Sequence, residues 1–238
     1  MIQNQLTGLF THAAKIYDLP VNPCKKVKRM GNSDSRSLNF WTLDEYKQFI
    51  QTMEPGTRYY LIFEMLFWTG CRIGELLAIT KADINFEKNQ LSINKTYYRT
   101  GMQDIITEPK TKQSFRTIEI PEFLKEEIKE FVDGHYGMPD TERLFPVVQE
   151  AVQHKMKRQI ELAGVKKIRV HDLRHSHVAY LIEKGVEPLL IRDRLGHKDI
   201  RITLNTYGHL YPNQQRKIAN LLDNENAVTG LGEERDEC

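Results

Sequence analysis

One stretch of the chain interrupts a sequence pattern that is otherwise helical. Between residues 83 and 121 the apolar residues occur in short β-branched and aromatic runs, LSINKTYY, DIIT and FRTIEI, which polar segments separate. Such runs are typical of β-strands, and their short connections favour antiparallel pairing. The stretch therefore predicts a three-stranded antiparallel sheet and excludes an all-helical fold.

Helical signals on both sides place this sheet inside a mainly helical protein. Apolar spacing and capping residues predict helices at 2–18, 42–53, 58–69, 72–80, 122–132, 148–163, 171–184, 188–195, 200–206 and 213–222. We therefore predict an α+β, mainly α fold in which a helical bundle carries a small three-stranded antiparallel sheet.

The ends of the chain differ in composition from its middle. A polar, basic segment at 25–37 follows the first helix, which Pro20 and Pro23 stop, and this predicts a domain boundary near residues 20–40. Residues 223–238 carry six acidic side chains and one basic side chain, a composition typical of a disordered tail. We expect three parts, at 1–39, 40–222 and 223–238.

Charge and cysteine content narrow the class of protein. The formal net charge is +2, and because the acidic tail carries −5, residues 1–222 carry +7, which is compatible with a nucleic-acid partner. The three cysteines are scattered and form no Cys-x-x-Cys pair, so they indicate neither a disulfide framework nor a structural zinc site. The sequence has no apolar run of membrane-spanning length and no signal peptide pattern, and we expect a cytoplasmic protein without a membrane partner.

The side chains with the most chemistry are concentrated between residues 171 and 211. His171 and Arg174 stand three residues apart in a predicted helix and share one face, while His197 and Tyr207 fall on the short helices that follow. Arginine offers a charged fork of donors, and histidine can donate or exchange a proton near neutral pH. These residues predict a phosphate site with a tyrosine nucleophile.

Four motifs, in order, resemble the catalytic domain of the tyrosine recombinases, and especially phage and conjugative-element integrases. They are TGCRIGELLAIT at 69–80, PKTKQSFRTIEIP at 109–121, HDLRHSHVAYLIEKG at 171–185 and LGHKDIRITLNTYGHL at 195–210. Four motifs at compatible spacing are far more specific than any one alone. The resemblance covers about residues 40–222, and it implies that residues 1–39 are a remnant helix of a core-binding domain plus a linker.

The resemblance also implies a role for each motif residue. Arg72 and Arg174 become the two phosphate-binding arginines, Tyr207 becomes the nucleophile, and His171 and His197 become the active-site histidines. A free tyrosine has a pKa of about 10, so the reaction needs a base or a cationic pocket. We expect His171 to be that base and His197 to bind the phosphate.

A lysine on the hairpin completes the set as the general acid for the leaving 5′ oxygen. Lys110 fits the family position best, but Lys112 would point the same way in an extended segment, so both stay open. Glu75, three residues after Arg72, is expected to hold that guanidinium without touching the substrate. We assign the remaining histidines of the stretch, His175, His177 and His209, to structural hydrogen bonds.

The function that the resemblance implies is site-specific recombination. The enzyme would cut and rejoin DNA through a 3′-phosphotyrosine link during integration of a phage or mobile element. Guanidinium and imidazole groups can neutralise the charge of the transition state, so no metal or other cofactor is expected. The expected partners are double-stranded attachment-site DNA and like subunits, which form a tetramer on DNA and are monomeric when free.

Alternatives come from other classes of protein. A DNA-binding regulator on the same fold would not cut, and a topoisomerase of the same chemistry would relax DNA without a specific site. A metallohydrolase is suggested by His171 and His175, which resemble the zinc-binding H-E-x-x-H pattern, although Arg174 would place a cation beside the metal. Because only one helix precedes the linker, we also expect a truncated clamp, weak and mostly non-specific DNA binding, and poor activity.

Overall fold

The computed structural model describes residues 2–27, 39–108, 115–135, 137, 139–210, 219–220 and 222–224. The chain divides into two compact units, residues 1–37 and 38–238, and this division falls inside the predicted boundary region. The two candidate lysines, Lys110 and Lys112, lie outside the described residues. So do most of the predicted helix at 213–222 and the tail beyond residue 224.

The first unit consists of helix α1 (Ile2–Ile16) and a 3-10 turn at Pro23–Lys25. None of the residues of α1 is buried. The turn is tied back to the helix by Asn22, whose side-chain amide donates to the Thr7 carbonyl at 3.2 Å and to the Thr11 hydroxyl at 3.0 Å. The predicted amino-terminal amphipathic helix is thus confirmed, and polar contacts hold its connection in place.

The helices of the second unit follow the predicted order. They are α2 (Leu43–Ile50), α3 (Arg58–Thr69), α4 (Ile73–Leu76), α5 (Glu122–Asp133), α6 (Gln149–Ala163), α7 (Asp172–Glu183), α8 (Pro188–Leu195) and α9 (Ile200–Tyr207). A capping box at Thr42 opens α2, and Gly70 ends α3 in the left-handed conformation. These local signals explain why both ends could be predicted from the sequence.

Helix α3 lies at the centre of the main core. Its residues from Leu61 to Phe67 are all buried, which fits the almost continuous apolar run in the sequence. It contacts α2, α4, α5 and α7. A second, smaller cluster forms where α7, α8 and α9 meet, and it contains Tyr207. The candidate site therefore rests on the central helix on one side and on a short-helix cluster on the other.

The strands form two sheets, where the sequence predicted one. Strands β1 (Ile84–Asn85), β2 (Gln90–Ile93) and β5 (Arg116–Glu119) make a three-stranded antiparallel sheet in the order β1-β2-β5. Strands β3 (Thr96–Thr100) and β4 (Gln103–Thr107) form a separate antiparallel hairpin. The three-stranded sheet is confirmed, but the run DIIT does not belong to it.

The predicted strand LSINKTYY divides because its middle residues turn towards a buried carboxylate. Asn94 donates to Asp83 Oδ1 at 2.9 Å, and Lys95 Nζ lies 2.6 Å from Asp83 Oδ2. Two consecutive side chains that reach the same carboxylate cannot alternate across a flat strand. β2 and β3 are therefore separate strands.

The predicted helix at 72–80 is a single turn, α4. After it the amide groups of Ala78 and Ile79 donate to carbonyls three residues back, which tightens the chain into turns. Thr80 then opens a 3-10 turn whose first amide is capped by Asp83, and Thr80 also pairs with Arg143. The chain is thus turned away from α4 towards the sheet.

None of the described helices is both long and apolar enough to span a bilayer.

Candidate active site

Arg72 and Glu75 meet at the amino-terminal end of α4. Glu75 Oε2 accepts the backbone N–H of Arg72 at 2.9 Å, and Glu75 Oε1 accepts from Arg72 Nη1 at 2.7 Å. The carboxylate side chain is 6% exposed, whereas the Arg72 side chain is 42% exposed. Glu75 thus holds the guanidinium of Arg72, while much of the Arg72 side chain stays exposed.

Arg116, on β5, is a second partner of Glu75 that the sequence reasoning missed. Its Nη2 lies 2.8 Å from Glu75 Oε2, its Nη1 lies 3.3 Å from Oε1, and its Nε donates to the Arg194 carbonyl at 2.8 Å. Burial alone would raise the pKa of Glu75, but the hydrogen bonds and charges of Arg116 and Arg72 outweigh it and lower that pKa to about 2. The only sequence signal for this role was a charged residue inside a short, largely β-branched strand.

Arg174 is buried on α7, with 3% of its surface exposed. Its Nη1 donates to the Gly70 carbonyl at 2.7 Å and its Nη2 donates to the Leu195 carbonyl at 2.7 Å. Both carbonyls lie at helix C-terminal ends, where the partial charge is negative. Burial, together with the charges of Arg72 and Arg116, lowers the pKa of Arg174 to about 9, so the group stays protonated at neutral pH.

The charge of Arg174 is available to an anion. Among the described residues, no carboxylate lies within ion-pair distance of this guanidinium. Its two direct partners are neutral carbonyls, which stabilise the cation without cancelling it. A phosphate oxygen would complete the missing counter-charge.

The two predicted active-site histidines lie close to these arginines. His197 follows α8, and its Nδ1 lies 2.9 Å from the hydroxyl of the buried Thr203. Burial and the charges of Arg174 and Arg72 lower the pKa of His197 to about 4. His171 precedes α7 and is exposed, and desolvation and the Arg174 charge also lower its pKa. Both rings are neutral at pH 7 and can donate to a phosphate from one nitrogen.

Tyr207 ends α9 and is 2% exposed. Its ring packs in the small apolar cluster with Val178, Ile182, Ile191 and Leu195. Burial raises the pKa of its phenol to about 12, and the Arg174 charge offsets part of that rise. The phenol is therefore protonated in the free protein, and the charge of Arg174 reaches it.

The histidine that contacts the Tyr207 hydroxyl is His175, to which we had given a structural role. His175 Nδ1 lies 2.6 Å from Tyr207 Oη, so among the described residues it is His175 and not the expected base, His171, that is hydrogen-bonded to the predicted nucleophile. His177, by contrast, is structural as expected, because its buried Nε2 accepts from Arg194 Nε at 3.1 Å. Of His209 only the backbone is described. The sequence placed His175 one turn after His171 but could not show where α9 packs.

Six of the predicted site residues lie close enough together for their charges to interact: Arg72, Glu75, His171, Arg174, His197 and Tyr207. The arginine charges lower the pKa of both histidines. The metallohydrolase alternative is not favoured, because the positive charge of Arg174 acts on both His171 and His175 and would repel a metal ion held between them. Within the described part of the chain, no three His, Cys, Asp or Glu side chains are placed to bind one metal ion. The arrangement can bind a phosphodiester and present a phenol to it.

Comparison with known proteins agrees with this chemistry. Residues 39–214, about three quarters of the chain, match the phage integrase family. The chain belongs to the phage integrase family. It is 31% identical to the ICEBs1 integrase of Bacillus subtilis strain 168 over 92% of this chain and 65% of that protein. It is 24% identical to the integrase of Staphylococcus phage L54a over 89% of this chain and 70% of that protein. This chain thus spans just under two thirds of the length of the ICEBs1 integrase.

Solved structures share the fold. The Tn1549 transposon integrase, solved in complex with a circular intermediate DNA, aligns with a TM-score of 0.75 at 20% identity, covering 94% of this chain and 77% of that one. A lambda integrase dimer bound to a core site aligns with a TM-score of 0.58 at 19% identity, covering 84% of this chain and 72% of that one. The predicted fold class, the mainly helical catalytic domain of a tyrosine recombinase, is confirmed, although its strands form two small antiparallel sheets instead of the one that was predicted.

Proposed function

We propose that this integrase-family chain is a site-specific DNA recombinase that cuts and rejoins DNA through a covalent bond between Tyr207 and a 3′ phosphate. The observation that carries the proposal is the buried, protonated Arg174, whose hydrogen-bond partners within the described part of the chain are two neutral carbonyls and whose charge acts on the tyrosine hydroxyl. A cation that is buried without a carboxylate is costly unless it serves an anionic ligand. A DNA phosphate is the ligand that the neighbouring groups fit.

The proposed reaction is a transesterification. The Tyr207 oxygen attacks the phosphorus, the bond to the 5′ oxygen breaks, and negative charge grows on the non-bridging oxygens. Arg174 and the exposed donors of Arg72 stabilise that charge, and the neutral rings of His171 and His197 add hydrogen bonds. A lysine of the motif at 109–121, Lys110 or Lys112, protonates the leaving oxygen as general acid.

We further propose double-stranded DNA at the ends of a mobile element as the substrate. The relatives support this choice, because they include the ICEBs1 integrase, a phage integrase and a transposon integrase solved with circular intermediate DNA. We also propose that the chain acts as a tetramer of like subunits on DNA, is a monomer when free, and works in the cytoplasm. Residues 1–39 would then supply part of a core-binding domain and its linker, and 40–222 the catalytic domain.

A suicide-substrate assay tests this proposal. A pool of duplexes with a randomised core and a nick beside the central positions lets the short cleaved strand diffuse away, so any adduct is trapped. At low salt the intact chain is expected to form an adduct that survives denaturation, whereas Tyr207→Phe is expected to form none. Tyr98→Phe, which removes a hydroxyl from the exposed strand β3, is the matched control and should react like the original chain.

Three results would contradict the proposal. An adduct that persists in Tyr207→Phe would show that another residue is the nucleophile. DNA that is bound and retarded by the original chain without any adduct would favour the non-cutting regulator. Relaxation of supercoiled plasmid at random positions would favour the topoisomerase instead.

A further inference from the structure

The bond between His175 and Tyr207 is the starting point for a further step. The two residues lie on different helices, α7 and α9, and their ring centroids are 5.6 Å apart. His175 follows Arg174 directly, so one turn of α7 carries both the buried cation and the partner of the nucleophile. The distance of 2.6 Å from Nδ1 to Oη is short enough for a strong hydrogen bond.

The surroundings of His175 decide the direction of this hydrogen bond. Asp172, one turn earlier on α7 and 2% exposed, places Oδ1 3.9 Å from His175 Nε2. A carboxylate on that side favours the tautomer with the proton on Nε2, which leaves the lone pair of Nδ1 facing Tyr207. The phenol is protonated, so its O–H donates to Nδ1.

Asp172 is kept ionised by its own partners. Arg169 Nη2 lies 2.7 Å from Oδ1, while Arg169 Nε and the backbone N–H of Arg169 donate to Oδ2 at 3.1 Å and 2.9 Å. These hydrogen bonds lower the pKa of Asp172 against the opposing effect of its burial. Asp172, His175 and Tyr207 therefore form a carboxylate–imidazole–hydroxyl series, the arrangement that activates nucleophiles in other enzymes.

We propose that His175, rather than His171, accepts the proton of Tyr207 as its oxygen attacks the phosphorus. The proposal rests on the proposed recombinase function. In the cleavage step the Oη–P bond forms, the P–O5′ bond breaks, the phenolic proton moves to His175 Nδ1, and the 5′ oxygen takes a proton from Lys110 or Lys112. Rejoining reverses each transfer, so that His175 and the lysine recover their starting states.

The charges around His175 are suited to this proton transfer. At rest, burial and the neighbouring His171 lower the pKa of His175, so the ring is neutral and able to accept. The imidazolium that forms faces Asp172, which attracts it, and Arg169 and Arg174, which repel it. A base that holds the proton only briefly is suited to a reversible reaction, because the proton must return when the strands rejoin.

Adduct formation by His175 variants tests the proposal on the nicked, randomised duplexes. His175→Ala removes the acceptor, and His175→Gln keeps a carbonyl acceptor that cannot take a proton. We expect both to slow single-turnover adduct formation by about 10²-fold or more. Imidazole added in solution should restore part of the rate of His175→Ala but none of the rate of Tyr207→Phe. The matched control, His154→Ala, removes an exposed histidine of α6 and should keep the original rate.

Three results would overturn the proposal. If His175→Gln reacts at the original rate, the hydrogen bond only positions Tyr207. If His175→Ala reacts faster, the bond restrains the tyrosine instead of activating it. If imidazole fails to restore any rate although the variant is folded by circular dichroism, the ring does not act as a base.

A measurement on the DNA-free chain separates this proposal from the proposed function. Nitrogen-15 NMR of the imidazole rings, with the His175 signals assigned by their loss in His175→Gln, reports which nitrogen carries the proton. We expect the proton on Nε2 and a bare Nδ1. A proton on Nδ1 would overturn the assignment even if the chain cuts DNA. If Nδ1 carries no proton and the chain forms no adduct, His175 can still accept a proton from Tyr207. That result would contradict the proposed recombinase function alone.

Discussion

Replacing Glu75 by glutamine is the sharpest test of how this site is held together. Glu75 lies between Arg72 and Arg116, and its carboxylate accepts hydrogen bonds from both guanidinium groups. Glu75→Gln keeps the shape of the side chain but removes the negative charge. The new amide group would point donors at a guanidinium, which has no acceptor to offer. In the variant, the buried Arg116 therefore loses the negative charge with which it forms an ion pair.

The size of the effect follows from the pKa of Glu75. A fall from 4.5 to about 2 means that the folded state stabilises the ionised carboxylate by about 3 kcal/mol. Removing one partner of a buried ion pair typically costs about 3–5 kcal/mol. The two figures agree because Glu75 is 6% exposed and solvent screens the pair little. We expect Glu75→Gln to lower the free energy of unfolding by about 3 kcal/mol at pH 7.

Urea unfolding followed by circular dichroism measures this difference. The folded pKa lies below the unfolded value, so the stabilisation is fully present above about pH 4.5 and is lost as the pH falls towards 2. The gap between the original chain and Glu75→Gln should therefore close over that window. Glu161→Gln, an exposed carboxylate of α6, is the matched control and should change little. A gap below about 1 kcal/mol at pH 7, or a gap that persists undiminished at pH 3, would refute the reasoning.

Two further predictions concern the central helix α3. Gly70→Ala would force an alanine into φ +65° and place its Cβ 2.5 Å from the His177 ring, so we expect a loss of about 2 kcal/mol or more in urea unfolding. Gly56→Ala, at φ +76° with no atom within 4 Å of the added Cβ, should lose only the stability that the backbone strain costs. Equal losses of stability in the two variants would argue against a clash at Gly70. Burial of Glu64 raises its pKa from 4.5 to about 7 despite hydrogen bonds from Tyr46 and Trp68. Because the folded pKa lies above the unfolded value, the contribution of protonated Glu64 to stability is full below pH 4.5 and is lost as the pH rises through 7. Glu64→Gln should flatten the fall in melting temperature over that range, and an unchanged slope would contradict the assignment.

Local signals predicted most of the helices and failed where tertiary contacts decide. The ends of α3 could be read from the sequence because Gly70 needs no partner to adopt its conformation. The strand break at Asn94 and Lys95 could not, because it depends on the buried Asp83 eleven and twelve residues earlier. Sequence patterns report periodicity and caps, whereas a side chain that prefers a distant partner leaves no periodic trace.

The candidate site shows the same division. Helical spacing was enough to place Arg174 in the first turn of a helix with His171 at its amino-terminal end, and the family motifs selected Arg72 and Tyr207. Neither spacing nor motif indicated that His175 would meet a tyrosine 32 residues further on. Arg116 was missed for a similar reason, because its partner Glu75 lies 41 residues away and on another element.

The hydrogen bonds of Arg174 can form only late in the synthesis of the chain. Its two carbonyl partners are 104 and 21 residues away in sequence, so the guanidinium is seated only when α3, α7 and α8 have all docked. Tyr207 follows α8 in the sequence and is synthesised later still, so an unfinished chain lacks the complete set of residues around Arg174. Docking of these three helices and formation of the Arg174 hydrogen bonds therefore occur together, late in the synthesis of the chain.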